Sequence, residues 1–437
     1  MNEKKKINRE HWAWYMFDFG NSAYAAVVLL AVYSAYFQGA VVGGSEGSRL
    51  WGVAIFWAML IVAVIAPILG TLADFSGKKK TMLMVFTSMA VVFTALLFFV
   101  QPGDVFMGMI FFILAEIGYR GGQVFYNSLL PEIASQDEIG KVSGNGWAVG
   151  SVGGIVCLLI VLALIQLVGG DFVIRLSFLI TAVFYALSSI PLFRIVKEKN
   201  KPQVLPKGDN YLSLAIRRLK KTFASVKNYK EFLKFMLAFL IYNDGIIAAM
   251  DFAAILGAVL YGMKQTELII FMIIVQATSV VGAWLYGVLG EKYGFKRSLI
   301  QSLLWMILAV VGIYFNTTLT GFFLIGALAG FALTGVQSLS RTMIGAFAPP
   351  GQSAEFYGFF GMVGRSSSFI GPLLFGWLAH KLTLYYEAQN MLLIEAEKLG
   401  HRMSLFSILA FLVVGTLLLL WVNEKEGRKV ALEQIEK

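Results

Sequence analysis

Long apolar runs separated by short polar breaks extend over nearly the whole chain. An α-helix rises 1.5 Å per residue, so about 20 apolar residues are needed to cross the hydrocarbon core of a bilayer. Runs of about this length recur through the sequence. The pattern therefore predicts membrane-spanning helices near residues 13–38, 51–75, 81–100, 104–129, 144–168, 172–193, 233–260, 266–290, 298–316, 320–346, 354–379 and 402–422.

The predicted helices form two sets of six with a charged segment between them. The fold class that follows is an all-α membrane protein of about twelve transmembrane helices in two pseudo-symmetric six-helix bundles. We place the N-terminal bundle at residues 1–193, a basic cytoplasmic linker at 194–232 and the C-terminal bundle at 233–437.

The two halves repeat one sequence pattern at the end of their second helix. Gly70–Lys80 reads GTLADFSGKKK, and the corresponding Gly287–Arg297 reads GVLGEKYGFKR. Internal repeats of this kind are typical of transporter folds. The same shift in residue number relates glycines of the fifth and eleventh helices, Gly144 with Gly361 and Gly154 with Gly371.

The linker begins with a charged breaker, Lys197–Pro202, and continues as a basic amphipathic pattern. Apolar residues recur there at three- and four-residue spacing opposite Lys and Arg, which predicts a helix lying at the cytoplasmic headgroups. Two roles are open for this helix, a tether between the bundles and a regulatory lipid sensor. Its residues are Leu212, Ile216, Leu219, Phe223 and Val226 on the apolar side, and Arg217, Arg218, Lys220, Lys221 and Lys227 on the basic side.

Two connections are predicted on the outer side of the membrane. The first is a loop from Gly39 to Leu50, and the second runs from Ala379 to Met403. Within the second, Tyr386–Lys398 predicts a polar helix that caps the surface.

Composition supports the membrane assignment, because 58% of the residues are hydrophobic and 14% are charged. Soluble domains have about 45–50% apolar and about 25% charged residues. The N-terminal apolar run is not followed by a small-residue cleavage site, so we expect the first span to be retained.

The net charge of +10 is explained by position. Most Lys and Arg residues fall on one side of the predicted helices, including both termini and the segment Arg194–Lys234. Cytoplasmic loops carry such an excess, so both termini are predicted in the cytoplasm. A nucleic-acid partner is not needed to explain the charge.

Enzymatic and metal-site chemistry finds no support in the sequence. The single cysteine, Cys157, lies in an apolar run, and His11, His380 and His401 are predicted in loops or at helix edges without zinc-ligand spacing. No P-loop motif is present. We therefore expect no enzyme activity, no cofactor and no bound metal.

Polar residues inside the predicted helices are the candidates for function, since ionisable groups at membrane depth are costly and usually line a path or a site. They fall on four helices, the first, fourth, seventh and tenth. These residues are Asp18, Asn21, Glu116, Arg120, Gln123, Asn127, Asn243, Asp244, Asp251, Gln337 and Arg341.

Two interpretations are open for the charged members of this set. Glu116 and Arg120 lie four residues apart on one helix face, so they either neutralise each other or let Arg120 hold a substrate carboxylate. Asp244 either pairs with Arg341 or takes up a proton. Aromatic residues nearby either pack or line a cavity: Tyr24, Tyr119, Tyr126, Trp147 and Tyr242.

The segment Gly70–Lys80 resembles the signature loop of the major facilitator superfamily. That resemblance implies that helices one, four, seven and ten line a central cavity. It also implies that Asp74 and Lys78 latch the halves in the outward-open state, with Glu291, Lys296 and Arg297 as a second latch. Further gating candidates are Gly77, which permits a tight turn, Gly146 and Gly150 of a glycine stripe that serves packing first, and Arg365 as a latch partner.

Longer motifs resemble one branch of that superfamily, the bacterial relatives of the autophagy-related vacuolar amino-acid effluxers. The chain departs from the branch at Phe19-Gly20, where Trp-Ala is usual, and this predicts a wider cavity face on the first helix. The motifs are Trp14–Ala23, Asn127–Ile133, Val142–Gly150, Gln337–Arg341, and Pro349 followed by Glu355–Gly358.

The resemblance implies a secondary active transporter that works by alternating access and exports amino acids or similar small polar solutes by proton exchange. Substrate contacts would come from Asp18, Asn21, Arg120, Gln123, Asn127, Asn243, Gln337 and Arg341, and proton coupling from Glu116, Asp244 and Asp251. The expected partners are a small-molecule substrate, membrane lipids and protons or another coupling ion. We expect a monomer in the bacterial inner membrane.

Two alternatives from other functional classes remain open at this point. A lipid or lipid-linked precursor translocase uses the same fold and needs an apolar lateral opening. A non-transporting membrane sensor would use the basic linker as its output element.

Overall fold

The structure is a computed structural model, and all the regular secondary structure in the residues that it describes is helical. The backbone is described for residues 9–134, 138–198, 226–349 and 353–433, with positions 213–214, 216–217, 220 and 224 of the linker. Side chains at 73–76, 139–141, 353–355 and 432–433 lie outside this description.

The first half of the chain contains six long helical segments. The first of them changes hydrogen-bonding register twice, because π-helical turns at Ala25–Ala31 and Phe37–Val42 flank a short α-helix. The Val32 N–H, for example, donates to the Val27 carbonyl at 2.8 Å. The elements are α1 Arg9–Tyr24, α2 Tyr33–Tyr36, α3 Gly44–Ser76, α4 Lys79–Leu96, α5 Val105–Ile133, α6 Ile139–Leu167 and α7 Asp171–Ile195.

The second half contains another series of long helices and a short terminal one. Its first helix ends at Gly262, which adopts a φ of +65°, while the Met263 N–H donates to the Gly257 carbonyl as in a Schellman turn. The elements are α8 Lys230–Tyr261, α9 Gln265–Tyr293, α10 Phe295–Phe315, α11 Leu319–Phe347, α12 Ser353–Ser366, α13 Ile370–Glu387, α14 Leu393–Leu420 and α15 Glu424–Glu433.

Within the described residues, 11 helices are long and apolar enough to cross a membrane. The helix predicted at 354–379 is not continuous, because it is divided into α12 and α13. Pro372 explains the interruption, since it lacks an N–H and its ring conflicts with the carbonyl four residues earlier. The proline is tolerated in the first turn of α13, where that N–H would have no helical partner.

The two predicted outer connections differ from what the structure shows. Residues predicted as the loop Gly39–Leu50 are almost entirely helical, because π-helical residues extend to Val42 and α3 begins at Gly44. Tyr386–Lys398 does not form a separate cap. Its residues belong to the end of α13 and the start of α14, and the two helices are separated by 388–392.

By contacts the chain forms two compact units. The first unit contains residues 1–36 and 64–215, and the second contains residues 37–63 and 216–437. Helix α3 therefore contributes its first part to the second unit and its remainder to the first. The division of the chain into an N-terminal bundle, a linker at 194–232 and a C-terminal bundle stays a prediction.

The same packing scheme is present inside each unit. In the first unit α1 packs on α6 and α7, and α4 packs on α5 and α7. In the second unit α8 packs on α13 and α14, and α10 packs on α11 and α14. The corresponding turns also agree, since Gly77 before α4 and Gly294 before α10 have φ values of +57° and +92°. The repeat in the sequence is thus a repeat in structure.

The amphipathic linker helix lies largely outside the described residues. Among its predicted apolar positions, Leu212, Leu219 and Phe223 are not described, whereas Val226 is buried and Ile216 is exposed. Its proposed contact with headgroups stays a prediction.

The close approach of α8 and α13 gives a test of the second unit. A Cβ added at Gly371 would lie 2.3 Å from the Asp244 carbonyl oxygen. We expect Gly371→Ala to destabilise the protein by about 1–3 kcal/mol, because a rigid backbone cannot yield as a side chain can. The measurement is thermal unfolding of the purified protein in detergent.

Gly361→Ala is the matched control, since no atom lies within 4 Å of its added Cβ. Equal melting temperatures for the two variants would contradict the close contact.

Candidate functional site

A charged pair lies in the middle of α5. The Arg120 Nε donates to the Glu116 Oε1 at 2.7 Å, and the two residues are one helical turn apart. Only 1% of the Glu116 side chain is exposed, whereas 29% of Arg120 is exposed. The buried carboxylate therefore neutralises and orients the guanidinium of a side chain that is only partly buried.

One aromatic ring contacts this guanidinium, and a second ring packs against the first. The Arg120 Cζ lies 5.3 Å from the centre of the Tyr119 ring, a distance suited to a cation–π contact. Tyr24 of α1 packs against Tyr119 with ring centres 4.8 Å apart. The planar fork of an arginine held in this way matches the geometry of a carboxylate or phosphate.

The glycine stripe of α6 packs on α1. A Cβ at Gly146 would overlap the Trp14 ring, and a Cβ at Gly153 would lie 2.1 Å from the Phe19 carbonyl oxygen. At Gly150 an added Cβ would lie 3.0 Å from the Asp18 carboxylate, so this carboxylate faces α6. The stripe allows the two helices to approach closely. Its gating role stays a prediction.

The departure at Phe19-Gly20 has a packing explanation, and the predicted widening of a cavity face is wrong. Gly20 is buried against α7, where an added Cβ would lie 2.7 Å from the Ser188 Cβ. The Phe19 ring stacks on Phe184 of the same helix at 5.2 Å. Both residues therefore serve the contact between α1 and α7.

Other candidates of the first unit differ in exposure. Asn21 is buried, Gln123 is half-buried and Asn127 is exposed. Tyr126 packs, since its ring stacks on Trp14 with ring centres 4.3 Å apart, whereas Trp147 is exposed. The structure therefore brings Glu116, Arg120 and Tyr119 together and places Asn127 at the surface.

In the second unit, neighbouring residues of α8 hold the break between α12 and α13. The Asn243 Nδ2 donates to the Ser367 Oγ at 2.8 Å, and the Asp244 Oδ1 accepts from the Gly371 N–H at 2.9 Å. A carboxylate is favourable at a helix N-terminus, where N–H groups lack helical partners. Asp244 thus caps α13, and the predicted pairing of Asp244 with Arg341 is not formed.

The remaining candidates of the second unit do not join this cluster. Asp251 is buried in α8, where its backbone carbonyl accepts from the Trp51 indole at 3.0 Å. Gln337 and Arg341 are exposed on α11. The Tyr242 hydroxyl bonds to the Ser340 hydroxyl at 2.7 Å and is fully buried, so this tyrosine packs.

The gating candidates are only partly described. The side chain of Asp74 lies outside the described residues, and Lys78 is exposed at the turn before α4. Glu291 and Arg297 are exposed on either side of the corresponding turn, and Arg365 is half-buried near the end of α12. A latch role for these residues stays a prediction.

Sequence reasoning missed a buried ion pair that includes Lys79 of the signature loop. The Lys79 Nζ lies 2.7 Å from the Glu132 Oε1, and their side chains are 7% and 2% exposed. The same ammonium donates to the Ser128 carbonyl at 3.1 Å. The available signal was the acid within the motif Asn127–Ile133, which follows a proline near the end of α5.

A second polar cluster also escaped prediction. His401 lies inside α14 and is fully buried, so its assignment to a loop or helix edge was wrong. Its Nε2 is 2.7 Å from the Ser48 Oγ, and the Gln38 amide donates to Glu397 at 3.2 Å. No group of three His, Cys, Asp or Glu residues in the described part of the chain has the arrangement of a metal site.

Comparison with known proteins identifies related sequences over nearly the whole chain. A family model described as "Vacuole effluxer Atg22 like" matches residues 54–140 and 134–432. YxiO, an uncharacterized MFS-type transporter of Bacillus subtilis, is 26% identical over 98% of both chains. Autophagy-related protein 22 of Yarrowia lipolytica is 24% identical over 68% of this chain and 53% of its own length.

A solved structure supports the fold. A bacterial homolog of the human lysosomal transporter Spinster superimposes with a TM-score of 0.75 at 16% identity, over 98% of this chain and 99% of that chain. The comparisons favour neither a lipid translocase nor a non-transporting sensor.

The buried ion pair gives a test of stability. We expect Lys79→Met to lower the free energy of unfolding by about 3–5 kcal/mol, because the Glu132 carboxylate loses its cation in a water-poor environment. The double variant Lys79→Met/Glu132→Met should recover most of that loss. Thermal and denaturant unfolding in detergent measure both.

Lys234→Met is the control, since Lys234 and Glu231 form a more exposed pair of the same type. Such pairs contribute about 0–1 kcal/mol. A loss in Lys79→Met no greater than in the control would contradict the prediction.

Proposed function

Since the chain belongs to the vacuole effluxer Atg22 like family and is a membrane transporter of the major facilitator type, we propose that it exports amino acids or similar small polar solutes. Transport is secondary active, runs by alternating access and is coupled to proton exchange. The name of the family supports efflux, and the candidate residues of α5 support the class of solute.

The observation that carries the proposal is the presentation of Arg120. The Arg120 side chain is 29% exposed, and a buried carboxylate and an aromatic ring hold its guanidinium within a helix that is otherwise mostly apolar. A cation without a partner is costly inside a membrane-spanning helix. The buried carboxylate of Glu116 compensates the charge of Arg120 and so permits an arginine at this position. This arrangement suits a ligand with a carboxylate, which all amino acids share.

Asp244 is the proposed coupling residue favoured by geometry, with Glu116 and Asp251 as the other candidates. Its carboxylate holds the N-terminus of α13 through the Gly371 N–H. Protonation removes the negative charge that the helix N-terminus favours. Proton binding at Asp244 would therefore loosen a helix end beside the break and link titration to movement.

The proposal also includes the location, the oligomeric state and the solute contacts that the sequence predicts. The protein lies in the bacterial inner membrane as a monomer, with both termini in the cytoplasm, and contacts lipids through its apolar helix faces. Asp18, Asn21, Gln123, Asn127, Asn243, Gln337 and Arg341 are the proposed neighbours of the transported solute.

Arg120→Gln tests the anion contact. We expect the KM for transport to rise at least about tenfold, because a charge-assisted hydrogen bond contributes about 1.5–3 kcal/mol. Arg120→Lys should be intermediate, since a lysine keeps the charge and loses the planar fork. The measurement is counterflow of radiolabelled acidic, neutral and basic amino acids in proteoliposomes.

Arg49→Gln is the control, because Arg49 also pairs with an acid one helical turn away and is similarly exposed. Unchanged kinetics in Arg120→Gln, with active wild-type protein, would exclude the contact.

Asp244→Asn tests coupling. The amide keeps an oxygen that accepts from Gly371 and cannot titrate near neutral pH, so exchange should persist while accumulation driven by an imposed pH gradient is lost. The two modes are measured in the same proteoliposomes, with the exposed acid of Glu395→Gln as the control.

Retained gradient-driven accumulation in Asp244→Asn would exclude this residue. Glu116→Gln and Asp251→Asn would then be tested in the same way, and retention in all three variants would exclude the coupling set.

A further inference from the structure

The turn before α10 is held by an acid that follows the last long helix of the second unit. The Glu424 carboxylate accepts from the Phe295 N–H at 3.2 Å and from the Lys296 N–H at 3.0 Å. These are the first two N–H groups of α10. In return, the Lys296 ammonium donates to the Leu420 carbonyl, at the end of α14, at 2.8 Å.

The first unit contains a matching exchange. The Glu198 carboxylate, beyond the end of α7, accepts from the Lys80 N–H in the first turn of α4. The Lys80 ammonium donates to the Val196 carbonyl, at the end of α7, at 2.8 Å. An acid again caps the third long helix of the bundle, while a lysine of that helix caps the end of the sixth.

We propose that Glu198 and Glu424 are positioning residues that fix the two copies of the signature loop and thereby support the rate of transport. Neither glutamate belongs to the repeated loop sequence itself, and each reaches it from a segment more than one hundred residues away in the chain. We call each exchange of bonds a clamp, with Glu198 and Lys80 in the first clamp and Glu424 and Lys296 in the second.

The two kinds of hydrogen bond in each clamp, from backbone N–H to Glu and from Lys to a backbone carbonyl, are favourable for the same physical reason. A helix N-terminus carries N–H groups without helical partners and favours an anion, and a helix C-terminus favours a cation. One Glu and one Lys therefore satisfy two helix ends at once. The glycine turns with positive φ stand beside these ends, so the clamp determines where the loop residues Lys78 and Glu291 emerge.

The second clamp is itself secured. The Asn423 N–H donates to the Glu231 Oε2, and a Cβ at Gly427 of α15 would overlap the Phe347 ring of α11. The segment that carries Glu424 thus packs on α8 and α11 as well as on α10. It behaves as an integral part of the second unit.

The experiment compares full-length wild-type protein with Glu198→Ala, Glu424→Ala, Glu198→Gln and Glu424→Gln. Hydrogen–deuterium exchange of the purified proteins reports the amides of residues 80, 295 and 296. Counterflow of the labelled amino acids in proteoliposomes reports KM and maximal rate. Glu426→Ala is the control, because Glu426 is exposed on α15 and lies two residues after Glu424 in the chain.

We expect exchange at the capped amides to become about fivefold faster in each Ala variant, only in the unit that carries the substitution, as for loss of a helix cap. Glu198→Gln should restore protection at residue 80, because one amide oxygen still accepts that N–H. Glu424→Gln should restore protection at only one of residues 295 and 296, because Glu424 accepts these two N–H groups through its two different oxygens. Maximal transport rate should fall in the Ala variants, recover in Glu198→Gln and recover in part in Glu424→Gln, with KM unchanged because no proposed substrate contact is altered.

Unchanged exchange in the Ala variants would overturn the clamps. Faster exchange with unchanged maximal rate would overturn their part in transport, as would a rise in KM equal to the fall in rate. The transport readout rests on the proposed function, whereas the exchange readout does not. If the wild-type protein moves no amino acid, the proposed substrate class fails and the exchange result alone decides whether the clamps exist.

Discussion

A charged or polar group buried among apolar helices must find its partner within the protein, because lipid supplies no hydrogen bonds. The principal polar contacts of this structure follow from that constraint. Glu116 compensates Arg120 within one helix, and Asp244 compensates a helix N-terminus. Lys79 and Glu132 compensate each other between helices. The two ion pairs differ in exposure, since the Arg120 side chain is 29% exposed and the Lys79 side chain is 7% exposed.

Helix ends form the second theme, because they carry unsatisfied backbone groups just as side chains carry charges. The break between α12 and α13 creates additional ends inside the second unit, and Asn243 and Asp244 bind them. The clamps do the same for the ends beside the two glycine turns. The stability of a helix end depends on the charge of its cap, so protonation of a cap can be linked to movement of the helix end.

The repeat of the sequence has physical meaning beyond the shared motif. Equivalent helices pack in the same pairs in each unit, and equivalent glycines adopt positive φ. The two clamps repeat as well, although their glutamates lie outside the repeated loop at Gly70–Lys80 and Gly287–Arg297. A structural requirement, a cap for the third helix of each bundle, has therefore been met twice, from segments that read VKEK at 196–199 and VNEK at 422–425.

The sequence by itself determined the membrane class, the positions of most helices, the internal repeat and the helices that carry buried charge, because apolar length and local spacing are properties of neighbouring residues. It also indicated the Glu116–Arg120 pair, whose members lie one turn apart. Tertiary structure decided the partners of Asp244, Lys79, Glu198 and His401, since those partners come from remote helices. The sequence also did not show that Gly20 packs on α7, because a glycine has no side chain whose polarity would indicate its neighbour.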